Sequence, residues 1–288
     1  MAPRPHPIIQ YASDLHLDHF PGLTPSDFID FLIPSSPTLI LAGDVASAWS
    51  PIYHAFLVWC SNVWDHVILI AGNHEYHCEP GFPHTRAETD QHIQQLCSAR
   101  RNLHFLQHGA SFKLPGTNYI VLGTTLYSDI NRAIYKDILN KSDFCNSYTL
   151  DTSIQPLFPD KQPLRFTTPA DLTRLHQQHK QALSNAIRAI PRGYKAIVVT
   201  HYMPTEHLLE PEYKTDAWRS CYASPLDSMI RHPVHLWICG HSHRQTRYTN
   251  PKNISVAMNA RGYNKPKELE RTQDIYSPYA RVQLAPFR

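Results

Sequence analysis

The chain has 288 residues, 42% hydrophobic and 18% charged, with a formal net charge of +3. This apolar content supports a large core and excludes a disordered chain, while the small net charge gives no ground for a nucleic-acid or membrane surface. Six cysteines without a Cys-x-x-Cys pair exclude a zinc ribbon or a disulfide scaffold, and the lack of a signal-like or membrane-spanning apolar run makes a cytoplasmic protein the expectation.

Short β-branched runs bounded by Gly, Pro, Asn or Asp predict strands. In chain order they are Ile8–Ala12, Thr38–Ala42, His66–Ala71, Tyr119–Gly123, Ala196–Thr200, Val234–Cys239, Ile254–Met258 and Ala280–Leu284. Several are apolar throughout, as expected of strands covered on both faces. Helices are predicted between them. Thr24-Pro25, Ser50-Pro51, Thr168-Pro169 and Ser224-Pro225 each place a capping hydroxyl before a proline suited to the first helical position. A helix is predicted over Ala87 to Arg100, with Ile93, Leu96 and Cys97 inward. After Thr168, Leu172, Leu175, His179, Leu183, Ala186, Ile187 and Ile190 recur at helical steps until Pro191 and Gly193. Alternating strands and helices imply an α/β layered fold. Residues 125–167 lack periodicity and read as an ordered insertion within one domain spanning 1–288.

Five motifs follow these strands: Asp14-Leu15-His16, Gly43-Asp44, Gly72-Asn73-His74-Glu75, Thr200-His201 and Gly240-His241-Ser242-His243. Taken singly, Asp14-x-His16 could be a solvated loop, Asp44 a turn residue, Asn73 a helix cap and His201 an ordinary strand end. Two histidines two apart, as at His241 and His243, have few structural uses. Together, carboxylates, imidazoles and an amide at strand ends suit a pair of divalent metals. Such a pair cleaves phosphoric esters.

This ordered set, from Asp14 to His243, closely resembles the calcineurin-like metallophosphoesterase superfamily. The resemblance implies a four-layer α/β/β/α sandwich with two mixed β-sheets and a metal site at the strand C-terminal ends. It implies that Asp14, His16, Asp44 and His243 hold one ion, and that Asp44, Asn73, His201 and His241 hold the other. Asp44 would bridge, and His74 would act as the catalytic histidine without ligating metal. The cofactors expected are two divalent ions, Mn, Fe or Zn, with manganese favoured by the resemblance. Segments around Gly123–Asp129, Ser142–Phe144, Tyr222–Ser224 and Asn259–Tyr263 are similar to a bacterial and phage-type branch. Protein Ser/Thr phosphatases usually carry Asp and Arg-Gly soon after Gly-Asp, whereas here Gly43-Asp44 runs into Val45-Ala46-Ser47-Ala48-Trp49.

The activity expected is hydrolysis of a small phosphorylated substrate, a phosphomonoester or phosphodiester, with nucleotide-type esters among the candidates. A nuclease with the same centre, or a catalytically silent scaffold, are the alternatives. The complete ligand set disfavours the scaffold, and the weak charge disfavours nucleic acid. Substrate contacts are expected from Tyr127, Tyr202, Arg244 and Arg261, with Asp129, Asp143, Tyr148 and Tyr263 as further pocket candidates. The basic residues from Arg261 to Arg271 are interleaved with Glu268 and Glu270 and read as a solvated loop. No membrane partner is expected.

Overall fold

Apolar side chains on both faces of the central strands set the architecture. The structure is a computed structural model that describes residues 7–153, 163–263 and 276–285. Its strands are β1 (Ile8–Ala12), β2 (Thr38–Ala42), β3 (His66–Ile70), β4 (Leu103–Phe105), β5 (Ala110–Lys113), β6 (Tyr119–Thr124), β7 (Tyr148–Leu150), β8 (Leu164–Phe166), β9 (Lys195–Thr200), β10 (Val234–Cys239), β11 (Gln245–Thr249), β12 (Ser255–Asn259) and β13 (Arg281–Gln283). The α-helices are α1 (Phe28–Phe31), α2 (Pro51–Val63), α3 (Arg86–Ser98), α4 (Ser142–Cys145), α5 (Pro169–Arg188) and α6 (Pro211–Lys214).

One sheet has the order β13-β1-β2-β3-β4 and the other β11-β12-β10-β9-β6-β5. Each has a parallel centre; β13, β11 and β5 are its antiparallel edges. Side chains alternate faces along a strand. In β2, Ile40 and Ala42 point to the shared core between the sheets, where they join Ile68 and Ile70 of β3 and Val121, Val199 and Ile238 of the other sheet. Leu39 and Leu41 face the opposite way, onto Tyr53, Phe56 and Cys60 of α2 and Ile93 and Cys97 of α3. The outer face of the second sheet, with Val198, Trp237 and Val256, packs on Leu183 and Ile187 of α5. The result is the α/β/β/α sandwich with two mixed sheets. No helix among the described residues is long and apolar enough to cross a membrane.

Register aligns the strand ends. Ala42 lies opposite Ile70 across β2 and β3, and Thr124 lies opposite Thr200 across β6 and β9. The loops that leave the parallel strands therefore emerge at one edge of the sandwich, the usual ligand-binding edge of parallel sheets.

Several elements differ from the sequence reading. Ser224-Pro225 starts no helix; Ser224 is buried and its hydroxyl accepts the Asp129 N–H at 3.2 Å, so it cannot cap. Thr24-Pro25 opens a 3-10 turn, Pro25–Asp27, followed by the single turn α1. The strands β4, β5, β7, β8 and β11 were not foreseen, because they are short or half-exposed and lack an apolar run. Within 125–167 lie a 3-10 turn at Arg132–Ile134, α4 and the β7–β8 hairpin. Most of the proposed solvated loop, from residue 264 onward, lies outside the described residues.

The start of α5 shows how sequence sets a helix end. Thr168 caps it by accepting the Asp171 N–H, and Asp171 returns the bond by accepting the Thr168 N–H at 2.9 Å. Arg165 adds a bidentate grip on Asp171 at 2.6 and 2.9 Å. Burial alone would raise the Asp171 carboxyl, but Arg165 and Thr168 outweigh it and hold it far below the usual carboxylate range. A depressed carboxyl stabilises the fold above its unfolded-state value and loses that contribution as pH falls through its folded-state value. Asp171→Asn should therefore cost about 1–2 kcal/mol at neutral pH. Denaturation of parent and variant should show that gap closing below roughly pH 4; a pH-independent gap would contradict the assignment.

Candidate metal centre

The motif residues sit where the strands end. Asp14 and His16 follow β1, Asp44 follows β2, Asn73 and His74 follow β3, His201 follows β9, and His241 and His243 follow β10. The loops continue the strand ladders: Asp14 N donates to Gly43 O at 3.0 Å, His16 N to Asp44 O at 3.1 Å, and Gly240 N to His201 O at 2.8 Å. The two sheets meet where His241 N donates to the Asp14 carboxylate at 3.0 Å.

These loops are strained and close-packed. Asp14, His16, Asp44, His241 and His243 have φ of 54°, 45°, 55°, 75° and 51°. Left-handed backbone at a non-glycine residue costs on the order of 1 kcal/mol or more and persists only where its surroundings enforce it. Gly72 and Gly240 permit the close approach. A Cβ on Gly72 would overlap the Asp44 carboxylate and lie 2.6 Å from Asp44 N; one on Gly240 would overlap Asp14. Glu75 acts as a clamp. Its buried carboxylate accepts from Gly72 N at 2.7 Å, Asp44 N at 2.9 Å and Val45 N at 2.8 Å, tying two loops together. Burial and the adjacent Asp44 push Glu75 up to about 8, against the pull of those N–H donors.

All seven predicted ligand residues converge. His16 Nε2 and His243 Nε2 are 3.0 Å apart, and His243 Nε2 is 3.5 Å from Asp14 Oδ1. Asn73 Oδ1 lies 3.0 Å from His201 Nε2 and 3.1 Å from His241 Nδ1. Asp44 Oδ2 faces both groups, 3.2 Å from His201 Nε2 and 3.8 Å from His16 Nε2. Asp14, His16 and His243 form one cluster whose ligand atoms lie within 4.8 Å of one another, and Asp44, His201 and His241 form a second. His19, exposed and not singled out in the sequence, joins His16 and His74 in a third.

The electrostatics favour cations. Burial opposes charge on His201, yet Asp44 and Asp14 outweigh it and push the imidazole up to about 10. Asp44 stays well below its usual range despite burial because His201 and His74 face it, while burial raises Asp14. Burial and neighbouring imidazoles lower His74 and His241 to about 3, and His16 also falls well below its ordinary value. Neutral imidazoles with lone pairs facing buried carboxylates are a donor set for borderline divalent metals. His201 is also oriented for ligation, since its Nδ1–H donates to Ala42 O at 2.8 Å and leaves Nε2 facing inward.

Around this cluster lies a cavity of about 360 Å³. His74 lines it and is hydrogen-bonded through Nε2 to the Tyr263 hydroxyl at 2.8 Å. Of the predicted substrate residues, Tyr202 lines it while stacked on His241 at 3.9 Å, and Arg244 lines it while paired with Glu210 at 3.0 Å. Tyr127 borders the cavity but is buried, and its hydroxyl is taken by Arg86 at 3.0 Å. Arg261 lies apart from these residues. Its guanidinium lies against Phe20 and Phe31, 4.4 and 4.5 Å from their ring centroids, and it is absent from the cavity wall. Tyr148 is likewise absent, stacked on Phe166 in the hairpin, and Asp129 is also off the wall. Asp143 holds the Asn73 amide, accepting from Nδ2 at 2.9 Å, and also meets His77 Nε2 at 2.9 Å. That fixes which face of the amide points at His201 and His241. No sequence signal linked Asp143 to Asn73, because the two are joined only through the insertion's fold.

The contact of Gly72 with Asp44 yields a direct test. Gly72→Ala should cost about 1–3 kcal/mol through overpacking and should displace the Asp44 carboxylate. Thermal unfolding and manganese titration should both report the loss; unchanged values in both would contradict the packing described.

Comparison with known proteins agrees with this architecture. An uncharacterized protein of Acanthamoeba polyphaga mimivirus is 22% identical over 290 residues, 96% of each chain. A phosphopantetheinyl hydrolase from Mycobacterium tuberculosis superposes with a TM-score of 0.66 at 20% identity, covering 96% of both chains. A dimetal phosphatase from Danio rerio gives a TM-score of 0.51 at 12% identity, over 97% of this chain and 93% of its own. At such identities the two structures share the fold. The calcineurin-like phosphoesterase family matches residues 11–245, which takes in all five strand-end motifs, and the chain belongs to that family.

Proposed function

We propose that this protein is a dinuclear-metal-dependent hydrolase of phosphoric esters. The observation that carries the reading is the convergence of seven oxygen and nitrogen donors, from five loops, around buried Asp44. Asp14, His16, Asp44 and His243 would hold one divalent ion, and Asp44, Asn73, His201 and His241 the other. When bound, such a pair activates water near neutral pH and neutralises charge on phosphoryl oxygens.

The chain's own residues have separate tasks in this reading. Asp44 Oδ1 accepts the His74 backbone N–H at 2.8 Å, which would hold the proposed catalytic histidine beside the carboxylate assigned to both ions. The His74 ring, held by Tyr263, faces the cavity and would donate a hydrogen bond to the phosphoryl or leaving oxygen. Asp143 would keep the Asn73 oxygen aimed at its ion. All six cysteines are unpaired, which supports a reducing, cytoplasmic setting, and one core cluster shared by both sheets supports a single domain. Manganese is the metal we would supply first. Among phosphomonoesters, phosphodiesters, oligonucleotides and a phosphopantetheinyl ester, we favour the small esters over the strands.

Three substitutions separate these tasks. Asp44→Asn should lower metal content and reduce hydrolysis of p-nitrophenyl phosphate or its bis-ester by at least about 10²-fold. Full metal loading with parental turnover would sink the proposal. His74→Ala should keep its metals yet lose about 10²–10⁴ in kcat. Elemental analysis beside steady-state kinetics distinguishes the two cases. Asp143→Ala should weaken one metal-binding step about 10–100-fold while sparing the other. Chelator competition reads both steps, and equal loss at both would contradict the role given to Asp143.

A further inference from the structure

The cavity wall combines two unlike linings. Asp44, Asn73, His241 and His243 supply the metal cluster. His74, Tyr202 and Ser242 of the same loops also line it, and an apolar stretch comes from outside those loops. Ile130, Ile138 and Phe144 of the insertion, Leu172 of α5, Leu209, and Trp218 of the 3-10 turn Ala217–Cys221 make an apolar stretch. All six are packed into the hydrophobic core, so this wall is fixed by the fold. Two hydrogen bonds hold its halves together: Asn131 N donates to Ser220 Oγ at 3.0 Å, and Asp129 N to Ser224 Oγ at 3.2 Å.

The charges on this wall are balanced. Apart from the metal cluster, Lys141, Asp143, Glu210 and Arg244 reach the cavity, two of each sign. Asp143 is engaged by Asn73 and His77, and Arg244 pairs with Glu210 at 3.0 Å. The Lys141 ammonium lies 5.0 Å from the centre of the Trp218 ring. A second phosphate or a nucleic-acid backbone calls for a cluster of cations, and among the described residues the wall carries only Lys141 and Arg244, the latter paired with Glu210. An apolar chain needs a preformed wall to lie against, and Phe144, Leu209 and Trp218 together with the rings of Tyr202, Tyr213 and Tyr222 offer one.

Building on the hydrolase reading, we propose that the cavity is a binding site for one uncharged, mainly hydrocarbon arm of the substrate. The substrate class is then a phosphoric ester carrying such an arm. Nucleotide polyphosphates and nucleic-acid strands fall outside it. The arm rests along Ile138, Phe144, Leu209 and Trp218 while the phosphoryl group meets the metal cluster. The described part of the insertion thereby acquires a purpose: its Ile130, Ile138 and Phe144 help build the apolar side of the cavity that selects the ester.

The test uses the full chain loaded with manganese and two homologous series, alkyl phosphates and alkyl p-nitrophenyl phosphates, from methyl to octyl. In at least one series kcat/KM should climb roughly two- to fourfold per methylene until the apolar wall is covered. Calorimetry should give tighter binding of octylphosphonate than of methylphosphonate, independent of turnover. Trp218→Ala should flatten the climb, and if that variant fails to fold, the series on the unmodified protein decides. Equal kcat/KM for methyl and octyl esters overturns the proposal, as does a preference for oligonucleotides, while leaving the hydrolase reading intact. Failure of the fully metal-loaded protein to cleave any ester would instead overturn the hydrolase reading itself.

Discussion

Asp14 and Asp44 are 0% and 1% exposed, and their ion pairs among the described residues are all to histidine. Two carboxylates taken out of water, with no arginine or lysine paired to them among the described residues, are costly to keep ionised. Some positive charge must balance them. Without a bound cation that task falls on His201, which the two carboxylates push up to about 10 against its own burial. Burial first, and then their proximity to one another, keep His16 and His241 neutral. A divalent ion in each cluster would relieve both problems, pairing the carboxylates and using the imidazole lone pairs. The same donors therefore explain the strain of the site and the chemistry proposed for it.

The fold makes this arrangement possible by rigidity at short range. Neighbouring strands within each sheet end level, and the His241 N–H joins the two sheets at Asp14, so loops distant in sequence meet without long excursions. Left-handed backbone at five of the seven donor residues turns each chain sharply at the strand tip. The Glu75 clamp binds the second and third loops through backbone amides alone. Asp143 then reaches in from the insertion to fix the Asn73 amide, which links the insertion side of the cavity to the metal cluster.

The long apolar strands and the strand-end motifs were legible in sequence because each depends on local order: β-branched runs, a glycine, then a ligand. The helices α2, α3 and α5 were legible from hydroxyl caps and helical spacing. Ser224 shows the limit of that rule, since its hydroxyl serves a partner 95 positions away. Arg261 shows another limit. A cation after a metal motif suggests substrate binding, but Phe20 and Phe31 lie far upstream in sequence and claim it. The edge strands β5 and β11 carry no apolar run because half their surface faces water. The roles of Glu75 and Asp143 are contacts between loops, and nothing in one sequence marks those pairs.

The central claim is that Asp44 is shared between two cations. A manganese-soaked crystal, measured for anomalous scattering, tests it without reference to any substrate. Two peaks about 3.5–4 Å apart, flanking the Asp44 carboxylate, are the result this account predicts. A single peak, or manganese bound only away from Asp44, would contradict it.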